Sequence, residues 1–215
     1  MNPALFLIIL IAVTVIISFK GFEDSYFFSK YQFHIGSIRK GEHIRMITSG
    51  FLHADIAHLA FNMLSLYFFA PVVSGKLGNY SFLLIYFASL VFGSMLTLQL
   101  HKKDYYYRAI GASGAVTGII YSAILLDPNL QIFLFFIPIP IPAYLFGIGY
   151  LLYSIYGMKA KNDNIGHTAH FGGAIGGYLF TLLVHPQILL ENTFMVVILT
   201  IPIVIMAVMA KQGKL

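Results

Sequence analysis

The 215-residue chain contains no cysteine and no tryptophan, and only 10% of its residues are charged. Without cysteine there can be no disulfide, no thiol nucleophile and no thiolate metal site. Without tryptophan, an interfacial aromatic belt has to be made of tyrosine and phenylalanine, and Tyr105, Tyr106 and Tyr107 mark one such border. A soluble domain carries roughly 25% charged residues, so a chain this poor in charge cannot cover itself with polar surface. Its 59% hydrophobic content and mean hydropathy of +0.83 indicate a small integral membrane protein. The formal net charge is +5. Its lysines and arginines lie in loops between apolar stretches, a distribution suited to lipid headgroups rather than to nucleic acid.

What is present is a succession of apolar runs. Asn2–Phe19 lacks a basic leader and a small-residue cleavage site, so it reads as a retained span. Residues 20–52 form a mixed loop holding Lys20, Glu23, Asp24, Lys30, Arg39, Lys40, Glu42 and Arg45. Its length predicts local structure or function. Further spans are expected at Ala54–Val73, Tyr80–Leu100, Ile110–Leu126, Ile141–Tyr156 and Thr168–Val184, with SGKLGNY as a glycine-rich turn between the second and third. Pro138, Pro140 and Pro142 alternate too densely for a helix, so the apolar residues before Ile141 read as an interfacial connection. Phe194–Ala210 is long enough for a seventh span despite Pro202. The expected architecture is all-α: a polytopic helix bundle with a six-span core over residues 1–187. Residues 188–215 add the seventh span and a short basic tail.

Consecutive spans alternate in direction, so the second, fourth and sixth start on one face of the membrane. His58 and Asn62 lie early in the second, Ser113 in the first turn of the fourth, and His170 in the first turn of the sixth. All four are expected at similar shallow depth, given a rise of about 1.5 Å per residue. His58 and Asn62 are four apart and share a helix face. Gly114 and Gly118, like Gly173 and Gly177, form GxxxG patterns that permit close helix approach just beyond Ser113 and His170.

Serine needs a base to become a nucleophile, and histidine serves near neutral pH. None of the eight acidic residues lies deep in a span near His170, so the constellation would be a Ser113/His170 dyad. His58, Asn62 and the backbone N–H of Ser113 could stabilise an oxyanion. Blander readings stand beside these. GASGAVTG can be a packing face, a lone histidine can be structural, and His58 with Asn62 can simply bond between helices. Against them, buried polar groups in a membrane are costly, and here they coincide in face and depth across three helices.

These residues resemble the rhomboid family of intramembrane serine proteases. FLHADIAHLAFNM (51–63) resembles its second-span signature, with His58 and Asn62 on the HxxxN positions and His53 on an earlier histidine. GASG resembles the nucleophile motif, with Ser113 its serine, and AHFGGAIGG (169–177) the sixth-span motif, with His170 the base. The resemblance implies hydrolysis of peptide bonds in or beside transmembrane segments of protein substrates, without metal or cofactor. It also implies a structured, membrane-lying first loop, in which GEHIRMIT resembles the Trp-Arg region with Arg45 its arginine. Ile44 departs from the tryptophan. Thr117 departs from an aromatic that in many members packs on the imidazole. His167 is expected in the loop before the sixth span. The family pattern turns the active face away from the cytoplasm, whereas the lysines and arginines of the first, third and fifth loops point the other way. The expected location is the plasma membrane of a bacterium.

Three rivals remain. A metalloprotease could use His53, His58, His167 and His170, but the chain has no HExxH helix. A transporter or channel should show internal repeats, and none relates the two halves. A catalytically silent rhomboid-like binder should lack the serine or the histidine, and both are kept.

Overall fold

Backbone polar groups inside a bilayer must be satisfied within the segment, so apolar runs of this length close as helices. A computed structural model of the chain describes residues 3–133, 139–160 and 165–214. Asn2 and Pro138, together with Lys161 and Asp163 of the fifth loop, lie outside the described residues. Helix α1 is Pro3–Glu23 and continues four residues past the end of the apolar run at Phe19. The first loop is folded, as its length predicts: α2 (Ser25–Tyr31), α3 (Ile35–Ile38), α4 (Arg45–Thr48) and a 3-10 turn at Ser49–Phe51 follow in order. Arg45 is buried there. Its guanidinium donates to Glu42 Oε2 at 2.6 Å and to the carbonyls of Ser29 and Gln32 at 2.8 and 3.0 Å.

The second and third expected spans are one element, α5 (Ile56–Leu100). SGKLGNY is not a loop. Helix continues on both sides of Gly78, whose φ of 81° and ψ of 166° alone reverse the chain. The two arms, 56–77 and 79–100, therefore meet at a single residue. Beyond it come α6 (Ser113–Leu126), α7 (Ala143–Ala160), α8 (His167–Val184), α9 (Ile188–Glu191) and α10 (Thr193–Lys211), the last containing Pro202. Helix α8 begins at His167, so His167 is a buried helical residue and not a loop residue. The reason is packing: a Cβ on Gly157 would meet the His167 ring, so the α7 backbone lies directly against it. Two short ladders complete the fold. β1 (Phe33–His34) pairs with β2 (Arg108–Ala109), and β3 (Gln131–Ile132) pairs with β4 (Ile141–Pro142) across the proline-rich connection.

The result is a polytopic membrane helix bundle. Helices α1, α5 and α10 are long and apolar enough to cross a membrane by length and composition. Every residue of α6 from Gly114 to Leu126 is buried, so α6 is the central rod and the others wrap it. With 14 residues it is about 21 Å long, against about 30 Å of bilayer hydrocarbon. A helix of that length cannot reach both interfaces of a bilayer, and Ser113 is its first residue.

Candidate active site

The expected convergence of the fourth and sixth spans is present. A Cβ on Gly173 would meet the Gly114 carbonyl, and one on Gly177 the Gly118 carbonyl. Only hydrogen side chains allow this approach, which brings the α6 and α8 backbones into contact just beyond Ser113 and His170. Ser113 Oγ and His170 Nε2 are 2.6 Å apart, with His170 buried.

The loop before Ser113 is pinned from the first loop. Gly111 adopts φ +112°, which disfavours any side chain, and its N–H donates to the Ser49 carbonyl at 3.0 Å. The next N–H, of Ala112, donates to His53 Nε2 at 3.3 Å. That bond makes Nε2 the acceptor and puts the ring proton on Nδ1, which donates to Ser18 Oγ at 2.8 Å. Ser18 in turn donates to the Phe51 carbonyl, also at 2.8 Å. Burial, with His58 beside it, holds the His53 pKa down from its ordinary 6.5 to about 3. His53 is therefore a neutral strut between α1 and the loop that presents Ser113.

His58 sits where the sequence places it. A Cβ on Gly111 would lie 2.8 Å from His58 Nε2 and 3.7 Å from Ser113 Oγ, so the imidazole and the hydroxyl border the same space. The Asp55 carboxylate caps α5 by accepting the His58 backbone N–H at 2.7 Å. Ala54 N–H approaches His58 Nδ1 at 3.5 Å, a weak contact that favours the proton on Nε2, facing that space. Asn62 is buried one turn deeper and donates to the His58 carbonyl at 2.9 Å, which leaves its second amide N–H for another acceptor. The backbone N–H groups of the first turn of α6 point toward the same end of the helix, where the helix dipole favours negative charge.

Sequence reasoning passes over Tyr150. It lies on α7, an odd-numbered span, whereas span parity brings together only the second, fourth and sixth. Its Oη is 2.8 Å from His170 Nδ1, and its ring stacks on the imidazole with centroids 5.5 Å apart and planes at 28°. The stacking that Thr117 cannot supply from α6 is thus supplied from α7. The usable signal was parity read in reverse: α7 ends on the face where α8 begins. His167 also contacts His170, ring edge to face at 6.3 Å. Among the described residues, no group of three or more His, Asp or Glu side chains could hold a metal ion.

A family model described as the Rhomboid domain matches residues 40–187, the stretch that contains His53, His58, Asn62, Ser113, Tyr150 and His170. The chain belongs to the rhomboid family. It is 34% identical over 148 residues to the rhomboid protein YdcA of Bacillus subtilis, covering 68% of this chain and 69% of that one. It is 31% identical over 175 residues to RHOMBOID-like protein 12, mitochondrial, of Arabidopsis thaliana, covering 74% of this chain and 52% of that one. The protein named Rhomboid protease GluP of Bacillus subtilis is 34% identical over 148 residues, with 66% of this chain and 26% of that one aligned. The chain thus spans about half the length of the plant rhomboid and about a quarter of GluP. Its rhomboid domain begins at residue 40, so α1, α2 and α3 precede the matched region and α9 and α10 follow it.

Proposed function

We propose that the protein is an intramembrane serine endopeptidase that cleaves peptide bonds in or near transmembrane segments of other membrane proteins. The observation that carries this reading is the 2.6 Å contact between Ser113 Oγ and His170 Nε2 at the N-terminus of α6. Ser113 Oγ attacks the carbonyl carbon of the scissile bond while its proton passes to His170 Nε2. The carbonyl oxygen takes the electron pair and accepts hydrogen bonds from His58 Nε2–H, the free amide N–H of Asn62 and the Ser113 backbone N–H. One such donor is typically worth about 3 kcal/mol in the transition state. The C–N bond then breaks, His170 returns the proton to the leaving amine, and water hydrolyses the ester by the reverse sequence.

The catalytic unit is assigned to residues 1–187, with α10 as an additional span. The matches to two Bacillus subtilis rhomboids support a bacterial plasma membrane as its location. Transmembrane proteins of that bilayer are the substrates proposed.

The test is cleavage of a transmembrane substrate by purified protein in proteoliposomes. S113A and H170A are expected to lose at least about 10³-fold in rate while still inserting and folding. N62A is expected to lose less, about 10²-fold, because other donors remain. A fluorophosphonate should label Ser113 in the parent and not in S113A. Cleavage by S113A at the parental rate would overturn the reading.

A further inference from the structure

For His170 Nε2 to accept the Ser113 proton, the neutral ring must carry its own proton on Nδ1. That N–H faces Tyr150 Oη at 2.8 Å, so the phenol oxygen accepts there. The phenol proton then needs an acceptor of its own in this apolar setting. The Thr117 side chain lies beside the phenol. Thr117 donates its hydroxyl proton to the Ser113 carbonyl at 2.7 Å, which leaves its lone pairs to receive the phenol. Two ordered bonds thus flank the phenol, His170 Nδ1–H to Tyr150 and Thr117 O–H to the nucleophile's own carbonyl, and a Tyr150 O–H turned to Thr117 would join them into one chain.

We propose that Tyr150 is the positioning residue of the Ser113/His170 pair, with Thr117 anchoring it. The proposal rests on the protease reading above. It gives the imidazole a neutral partner behind Nδ1 although position 117 is not aromatic. A carboxylate at this depth would be an ion among apolar helices, at a cost of several kcal/mol. A phenol is neutral at physiological pH, fixes the Nδ1–H tautomer and offers a ring face to the imidazole. Phe146, one turn earlier on α7, stacks on the Tyr150 ring at 5.8 Å and 13° and holds it in that plane. Thr117 fits the role because a hydroxyl can bond back to its own helix and still accept, which an aromatic there could not do.

The test is steady-state cleavage in proteoliposomes with Y150F, T117V and the double variant, each checked by its unfolding midpoint in detergent. Y150F keeps the stack and loses only the hydroxyl. We expect its kcat to fall 10- to 100-fold with KM unchanged within twofold, because the group acts on the base and not on substrate binding. T117V should lose three- to tenfold, and the double variant should be no worse than Y150F within threefold, since both break one chain. Fluorophosphonate labelling of Ser113 should slow in parallel with kcat. A Y150F rate within twofold of the parent overturns the proposal, as does a double variant whose losses multiply. If Y150F does not fold, T117V decides alone, and a parental rate in T117V overturns the proposal. S113A separates the two ideas: its inactivity beside an unimpaired Y150F leaves the protease standing and removes only the role of Tyr150.

Discussion

His53 is fully buried, and its ring is committed at both nitrogens, to Ser18 and to the Ala112 N–H. A proton added at Nε2 would break the bond to Ala112 and place a charge in an apolar site. The folded protein therefore resists protonation until about pH 3, whereas the unfolded chain takes up a proton near 6.5. The stability this contributes is whole above pH 6.5 and is lost as pH falls through the window from 6.5 toward 3. The expected slope within that window is about 1.4 kcal/mol per pH unit. Unfolding midpoints in detergent between pH 7 and pH 4 should fall accordingly, and His53→Leu should flatten that fall while lowering the midpoint at pH 7. An equal pH dependence in parent and variant would show that His53 is not the titrating group.

Helix α6 depends on the glycines of α8 more than on any single polar bond. The Gly173 and Gly177 positions abut the carbonyls of Gly114 and Gly118, which are backbone atoms that cannot rotate away. In lipid there is no hydrophobic force to press the helices together again once a methyl group intervenes. Gly173→Ala should therefore destabilise the bundle by about 3 kcal/mol. It should also weaken labelling of Ser113, because it widens the gap that the dyad spans. Circular dichroism melts and fluorophosphonate labelling measure the two effects. Unchanged melting would mean that the helices slide to accommodate the methyl.

At the scale of the whole molecule, the basic residues of the first loop are largely committed. Arg45 is bound to Glu42 and two carbonyls. Arg39 donates to the Lys102 carbonyl at 2.8 Å and lies over the Tyr105 ring at 4.8 Å, and Lys20 pairs with Asp24 at 3.0 Å. A count of loop cations treats these as free charges, and the folded loop shows that they are fastened into structure. Helix α1, the two arms of α5, then α6, α7, α8 and α10 make an odd number of crossings if each spans the bilayer. N- and C-terminal tags should then be protected on opposite sides of sealed vesicles in a protease-accessibility assay. Tags on the same side would mean that one of these helices, α10 first among them, does not cross.

The membrane class, the all-α architecture, the motif residues and their shared face were legible along the chain, because hydropathy runs and span parity are one-dimensional properties. GxxxG spacing likewise announced the α6–α8 contact that holds Ser113 and His170 2.6 Å apart. Other features could be decided only in three dimensions. SGKLGNY looked like a loop because glycine and polar residues mark turns, yet α5 needs only the φ of Gly78 to reverse. The α8 start at His167 came from the Gly157 backbone, a neighbour ten residues away with no local signal. Tyr150 and the His53–Ser18 link join helices whose distance and rotation no linear spacing encodes. A hydrogen bond between separate rods depends on how both are turned and packed, and that is settled when the bundle closes.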